Sequence, residues 1–153
     1  MQPTHQLASV ANPLHTRRVM ASNMNVPPSL DTVDLEAIKS VRPNLLLCGP
    51  AGVLRTTLDT LRPSFQQPVY NWTGHAHASL PHEFAGTLIF EYASSAPGEQ
   101  QQLLLAWLGE RAPRVQVIST TVEPLFALVQ RGAFLDSLFY HLNTLYVDLG
   151  CPA

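Results

Sequence analysis

Charged side chains are scarce in this chain of 153 residues. Asp, Glu, Lys and Arg make up 13% of the sequence, the net charge is −2, and Lys39 is its single lysine. Basic residues form no cluster beyond Arg17 and Arg18. Because a nucleic-acid footprint needs clustered Lys and Arg, we expect no specific DNA binding. A surface with so little charge favours a protein that packs against a partner.

Long hydrophobic runs and cysteines are also rare. No apolar run is long enough for a signal peptide or a membrane span, so we expect no membrane contact and a cytoplasmic location. The two cysteines, Cys48 and Cys151, are therefore expected to be reduced thiols. The apolar fraction of 46% is enough for one continuous core in a chain of this length.

The chain divides into two parts by its proline and apolar patterns. Residues 1–28 have no hydrophobic period and carry four prolines, which predicts a flexible amino-terminal arm. Met20 is a second plausible chain start, so residues 1–19 are open to interpretation as an upstream extension. Residues 29–153 are predicted to form one ordered core.

Within this core, short apolar segments alternate with helical patterns. Strands are predicted at residues 44–48, 68–72, 87–91, 115–119 and 144–149. Helices are predicted from residue 31 to Pro43, after residue 52, over residues 102–108 and 124–129, and over residues 134–142. This alternation predicts an α/β fold, with a parallel sheet covered by helices on both faces.

The first strong strand leads into a Gly-rich stretch, GPAGVLRT at residues 49–56. A phosphate-binding loop reads G-x-x-x-x-G-K-S/T: backbone N–H groups wrap the phosphates, the lysine reaches the terminal phosphates, and the hydroxyl holds Mg²⁺. Here Leu54 occupies the second obligatory glycine and Arg55 the lysine. A Cβ at residue 54 disfavours the close approach of backbone to phosphate, and Arg55 retains the charge without the compact ammonium.

Four later segments resemble, in order and spacing, the AAA+ domain of sigma-54-dependent transcription activators. GTLIFEYA at residues 86–93 resembles the family's Walker B segment G-T-L-F-L-D-E-I, and the segment at residues 100–108 resembles Q-x-x-L-L-R-x-L. VQVISTT at 115–121 resembles the sensor strand V-R-I-I-A-A-T, and residues 132–143 resemble G-x-F-R-E-D-L-Y-Y-R-L-N. The resemblance implies a three-layer P-loop NTPase fold of the AAA+ type.

Departures from the family's pattern imply that hydrolysis is lost. Glu91 stands where the family's magnesium-binding aspartate lies, and Tyr92 replaces the glutamate that positions water. Val122 replaces the sensor asparagine, and the two arginine-finger positions hold Leu135 and His141. We therefore expect no catalytic residues and no enzyme activity.

Larger pieces of the family's domain are also expected to be missing. The interval of residues 63–85 is too short for the G-A-F-T-G-A insertion that touches sigma-54, and we expect neither the helical lid nor the DNA-binding helix-turn-helix. The resemblance therefore covers the core alone, with the lid subdomain absent. Binding of ATP or ADP is expected to be residual at most, at a degenerate site that comprises Gly49, Pro50, Ala51, Gly52, Val53, Leu54, Arg55, Thr56 and Glu91.

The favoured hypothesis is an inactive AAA+-like regulatory or adaptor module in bacterial transcription or signalling. Its partner would be a sigma-54-dependent activator or another copy of itself, reached through an apolar surface at Phe134, Leu138, Phe139 and Leu142. One alternative is a module that senses a nucleotide or phospholigand without hydrolysis, and another is a decaying paralogue without a selected role.

The histidines and hydroxyl residues favour ordinary structural roles. His75 and His77 with His82 are compatible with zinc, but they lie in a predicted loop with Cys48 as the nearby thiol, so no metal site is expected. Ser94, Ser95 and residues 119–121 follow strand ends, where caps and turns are the usual role.

Overall fold

The computed structural model describes residues 18–20, 32–75, 77–111 and 114–152. They form a six-stranded parallel sheet in the order β1-β6-β2-β5-β4-β3. The strands are β1 (Arg18–Met20), β2 (Leu45–Cys48), β3 (Val69–Trp72), β4 (Gly86–Phe90), β5 (Val115–Thr121) and β6 (Leu145–Asp148). The predicted α/β class and parallel sheet are confirmed.

Among the described residues, five α-helices lie between the strands. They are α1 (Thr32–Ser40), α2 (Ala51–Leu61), α3 (Gly98–Arg111), α4 (Leu125–Gln130) and α5 (Asp136–Leu142). Short 3₁₀ turns follow α2 at Arg62–Ser64 and β4 at Ala93–Ser95. The helix predicted over residues 134–142 begins only at Asp136, because Leu135 is still extended (φ −67°, ψ 126°).

Alternation along the strands sends side chains into two separate cores. Leu46 of β2 packs on the side of α3, α4 and α5, while its neighbours Leu45 and Leu47 pack on the side of α1 and α2. Successive strand residues point to opposite faces, so each face of the sheet receives its own layer of helices. Burying each such leucine contributes about 1.5–3 kcal/mol to stability.

The predicted flexible arm is wrong for three of its residues. Arg18–Met20 form β1, which pairs in parallel with β6 and adds a strand at the edge of the sheet. The rest of the predicted arm, and with it most of the proposed extension at residues 1–19, lies outside the described residues. The signal was missed because a three-residue strand is too short for a hydrophobic period.

The expectation of two reduced thiols is also wrong in this structure. Cys48 and Cys151 are joined by a disulfide, with their Cα atoms 5.0 Å apart. Cys48 ends β2 and Cys151 follows β6, and these strands are neighbours in the sheet. The expectation rested only on the predicted cytoplasmic location, which does not indicate which strand ends lie close together in the fold.

Part of the connection between β3 and β4 lies along α3. The indole of Trp107 donates a hydrogen bond to the carbonyl of Pro81 (2.7 Å), and the Arg111 guanidinium donates one to the carbonyl of His82. The phenol of Tyr70 donates to the carbonyl of Ser79 (3.0 Å). No helix in the described part of the chain is long and apolar enough to cross a membrane.

Candidate functional site

An open cleft of about 340 Å³ lies where β4 and β5 end, along the length of α2. Because the strands are parallel, their carboxyl ends meet at one edge of the sheet, which is where α/β proteins usually bind ligands. The residues that line the cleft are Ala51, Leu54, Arg55, Leu58, Asp59, Arg62, Glu91, Tyr92 and Thr120. Four of the predicted nucleotide-site residues, Ala51, Leu54, Arg55 and Glu91, are among them.

The connection from β2 to α2 is only two residues long. β2 ends at Cys48 and α2 begins at Ala51, so Gly49 and Pro50 alone join them. The Gly49 amide donates to the carbonyl of Thr121 (3.1 Å), and the Leu54 amide donates to the carbonyl of Pro50 (3.0 Å). Most of residues 49–56 are therefore helix, and the phosphate-wrapping loop that the motif implies does not form.

Gly49 has a packing role in this connection. A Cβ on Gly49 would lie 2.7 Å from the carbonyl oxygen of Leu149, so the chain beyond β6 packs directly on the glycine. Gly52, in contrast, lies in the first turn of α2, and a Cβ added there would meet nothing within 4 Å. Gly49 is thus required for close packing, whereas the fold places no steric constraint on residue 52.

The remaining motif residues lie on α2 and differ in their access to the cleft, which Leu54 lines and Thr56 does not. Leu54 and Thr57 are buried, as expected of the inner face of an amphipathic helix. The Thr56 hydroxyl donates to the carbonyl of Gly52 (3.1 Å), one turn back along the helix. This hydroxyl does not line the cleft, so the structure does not put it where a phosphate-bound metal would be held.

Charges of both signs line the cleft. Arg55 and Arg62 are exposed and make no ion pair with any described residue. The carboxylate of Glu91 accepts a hydrogen bond from the Asn71 side-chain amide at 3.1 Å. Sequence reasoning overlooked Arg62, although its spacing of seven from Arg55 puts both on one face of a helix.

Tyr92 follows the Walker-B-like strand in a left-handed conformation (φ 56°, ψ 49°), which is uncommon for a residue with a Cβ. Its backbone amide donates to the hydroxyl of the buried Thr120 at 3.1 Å. Its side chain is 41% exposed, and Val122, one residue beyond β5, is 39% exposed. Exposed side chains thus stand at the two positions that the sequence resemblance aligns with a catalytic glutamate and a sensor.

The two finger positions contribute to local structure. The Leu135 amide donates to the buried side chain of Gln101 (2.8 Å), whose NH₂ group donates to the carbonyls of Ala96 and Ala133. The carbonyl of His141 accepts from the Asn44 side chain (2.8 Å), while the His141 side chain is exposed. Gln101 belongs to the Q-x-x-L-L segment, but its network was not foreseen because the sequence does not show which glutamine is buried.

The predicted partner surface on the last helix is wrong. Phe134, Leu138, Phe139 and Leu142 are all at least 93% buried, and they belong to the core beneath α3, α4 and α5. Their helical spacing marks the side of α5 that faces the sheet, and the resemblance could not distinguish that side from an assembly surface. On this helix the exposed aromatic residue is Tyr140, whose ring meets the ring of Phe139.

Metal-ligating side chains do not gather in the described part of the chain. It contains no group of three or more His, Cys, Asp or Glu residues that could hold an ion. His75, His77 and His82 all lie in the exposed connection between β3 and β4. Cys48, the one thiol considered with them, is in the disulfide.

No protein-family profile matches the sequence, and no curated protein matches it either. Solved structures do match. NtrX from Brucella abortus in complex with ATP is 19% identical with a TM-score of 0.57, over 98% of this chain and 40% of that one. Its ADP complex is 21% identical with a TM-score of 0.54, over 82% of this chain and 37% of that one. The chain thus spans about two fifths of NtrX.

A third match is the P-loop NTPase domain of the sigma-54 transport activator from E. coli. It is 17% identical with a TM-score of 0.51, over 71% of this chain and 97% of that domain. At these identities the similarity establishes the fold. The predicted three-layer α/β fold of the P-loop NTPase kind is confirmed as a fold.

Proposed function

We propose that this chain is a catalytically inactive AAA+-like module that acts by binding another protein in bacterial transcription or signalling. The observation that carries the proposal is the two-residue connection between β2 and α2. A nucleotide triphosphate needs several backbone N–H groups arranged around its phosphates. Here Gly49 donates to a strand carbonyl, Pro50 has no N–H, and Leu54 donates within the helix, which leaves the amides of residues 51–53 in the first turn of α2.

The side chains at the cleft support the same proposal. Hydrolysis needs a carboxylate base or a water-positioning group, and a cation on the transferred phosphate. Tyr92 and Val122 supply neither, and the exposed Arg55 is not held against any described acceptor. Since an arginine finger alone contributes about 10³–10⁵ in rate, the combined losses leave no useful turnover.

Because the face of α5 is buried, the partner must contact another part of the molecule. We propose the carboxyl-edge surface, defined by Arg55, Arg62, Tyr92 and Val122. Exposed aromatic and arginine side chains are the types that contribute most at protein interfaces. The proposed partner is the AAA+ domain of a sigma-54-dependent activator, or a second copy of this chain.

A binding titration with matched variants tests the surface. The purified chain is titrated into the AAA+ domain of a sigma-54 activator, and its self-association is followed by sedimentation. Tyr92→Ser and Val122→Ser are expected to weaken the measured affinity at least about tenfold each. Val41→Ser is the control, because Val41 is 73% exposed at the opposite, amino-terminal edge of the sheet. Equal loss in all three variants, or binding to neither partner, would reject the surface.

The absence of hydrolysis is tested separately by measuring phosphate release from ATP with Mg²⁺. Wild type and Arg55→Ala are expected to give the same background. A rate above background that disappears in Arg55→Ala would overturn the proposal.

A second candidate function is sensing of a phospholigand without hydrolysis. Arg55 and Arg62 support it, because two guanidinium groups that make no ion pair with a described residue line the cleft, together with the carboxylates of Asp59 and Glu91. Melting temperature is measured with millimolar ATP, ADP or cyclic dinucleotides. A stabilising shift that Arg55→Ala and Arg62→Ala each remove would favour sensing, and the absence of any shift would favour the protein partner alone.

A further inference from the structure

The disulfide lies directly before the turn that starts α2. Cys48 is the last residue of β2, directly before Gly49 and Pro50, and Cys151 lies three residues beyond the end of β6. The bond joins residues 103 positions apart in sequence. With two cysteines in the whole sequence, no other pairing within the chain competes.

The chain after β6 is shaped to bring Cys151 back to Cys48. The carboxylate of Asp148 accepts hydrogen bonds from the amides of Gly150 (3.0 Å) and Cys151 (2.9 Å), which closes a tight turn. Gly150 adopts a positive φ of 97° within this turn, a conformation that favours glycine. The turn therefore presents the Cys151 sulfur to the end of β2.

The same segment covers the connection to α2. The Leu149 amide donates to the carbonyl of Cys48 (2.8 Å), and Leu149 packs on Gly49 so closely that a Cβ there would meet its carbonyl oxygen. A Cβ on Gly150 would lie 3.6 Å from the ring of Pro50. Residues 149–151 thus lie against the turn that starts α2 and carries Arg55 to the cleft.

The two sulfurs differ in their access to solvent. Cys48 is fully buried, whereas Cys151 is half-buried beside the exposed Gly150 and Pro152. A reductant can therefore reach the disulfide from the Cys151 side. Thiol–disulfide exchange proceeds by attack of a thiolate on one sulfur, so this difference decides the direction of opening.

We propose that the Cys48–Cys151 disulfide is a redox-sensitive clasp that holds residues 149–152 on the β2–α2 turn. A thiolate of a dithiol reductant attacks the Cys151 sulfur, the disulfide breaks, and Cys48 leaves as a thiolate that takes up a proton. The second thiol of the reductant, as its thiolate, then attacks the reductant sulfur of the mixed disulfide, and Cys151 leaves as a thiolate that takes up a proton. The reductant ends as a disulfide, and the chain gains two electrons and two protons. Opening frees the end of the chain and loosens the turn.

Thiol trapping tests whether the clasp opens and closes in the folded chain. The purified protein is incubated with glutathione disulfide or with dithiothreitol, alkylated, and weighed by intact mass spectrometry. We expect no alkylation after unfolding of the oxidised chain and two after reduction. In the folded, reduced chain, Cys151 is expected to react at least about tenfold faster than Cys48. Thiols that stay free in glutathione disulfide, or a bond that dithiothreitol does not open before unfolding, would overturn the proposal.

Amide hydrogen exchange tests what the clasp controls. After reduction, the amides of Gly49, Leu54 and Gly150 are expected to exchange at least several-fold faster. Cys151→Ser should show the fast rates without reductant, and Pro152→Ala, which keeps both sulfurs, should behave as wild type. Reduced wild type makes the same comparison if Cys151→Ser folds poorly. Unchanged rates at Gly49 and Leu54 after opening would reject control of the turn. Since no partner is involved, these results are independent of the proposed binding function.

Discussion

The backbone amide of Tyr92 donates to the hydroxyl of Thr120 at 3.1 Å, which ties the residue after the Walker-B-like strand to the neighbouring sensor-like strand. The bond accompanies the left-handed conformation of Tyr92. The hydrogen bond between the Tyr92 amide and the Thr120 hydroxyl thus fixes this wall of the cleft. Tyr92 itself is 41% exposed.

The left-handed conformation of Tyr92 predicts a difference between two substitutions. Tyr92→Gly and Tyr92→Ala both remove the phenol, but only alanine keeps the Cβ that disfavours positive φ. We expect Tyr92→Gly to be more stable than Tyr92→Ala by about 1 kcal/mol in urea unfolding. Alanine as stable as glycine would mean that residue 92 leaves the left-handed region.

The close packing at Gly49 predicts opposite effects at two glycines of the motif. Gly49→Ala forces a methyl group against the carbonyl of Leu149 and is expected to cost about 2 kcal/mol or more of unfolding free energy. Gly52→Ala meets open space in the first turn of α2 and is expected to stabilise by about 0.5 kcal/mol. Both are measured by chemical unfolding. A Gly49→Ala variant as stable as wild type would contradict the two-residue connection.

Truncation of the buried side chain of Gln101 is predicted to lower the stability of the fold strongly. Truncation in Gln101→Ala leaves the carbonyls of Ala96 and Ala133 and the amide of Leu135 without their partner. We expect a cost of about 2–4 kcal/mol. The neighbouring Gln102→Ala is the control, since Gln102 is exposed and should change stability by less than about 0.5 kcal/mol. Similar effects of the two variants would argue against the network.

The disulfide predicts a loss of thermal stability on removal of either sulfur. Cys151→Ser is expected to lose about 2–4 kcal/mol, because the unfolded chain is no longer constrained by a long closed loop. For a chain of this size that corresponds to a fall in Tm of about 4–16 °C. Adding dithiothreitol should lower the Tm of wild type but not that of Cys151→Ser. If dithiothreitol lowered the Tm of both proteins, its effect would not come from the disulfide.

The sequence predicts the class of fold well, since short apolar runs such as residues 45–48 between helical patterns fit little else. It does not predict β1, because three residues carry no period, nor the disulfide, because the meeting of Cys48 and Cys151 depends on the order of strands in the sheet.

The candidate site was foreseen in part. Arg55 and Glu91 do line the cleft, as their positions in the motifs imply. The conformation of residues 49–53 could not be predicted from the motif, because a Gly-rich stretch forms either an open loop or the start of a helix, depending on what packs on it. Here Leu149 packs on Gly49. Likewise, helical spacing marks the apolar side of Phe139 and Leu142 without saying whether a core or a partner covers it.

The order of strands also bears on how this sequence becomes a folded molecule during synthesis. β2 lies between β5 and β6 in the sheet, and β1 pairs with β6. The earliest strands therefore wait for residues 145–148 to leave the ribosome before they gain their last neighbours. Until then one edge of β2 is unpaired, and an unpaired strand edge in a partly folded chain is prone to association with other chains.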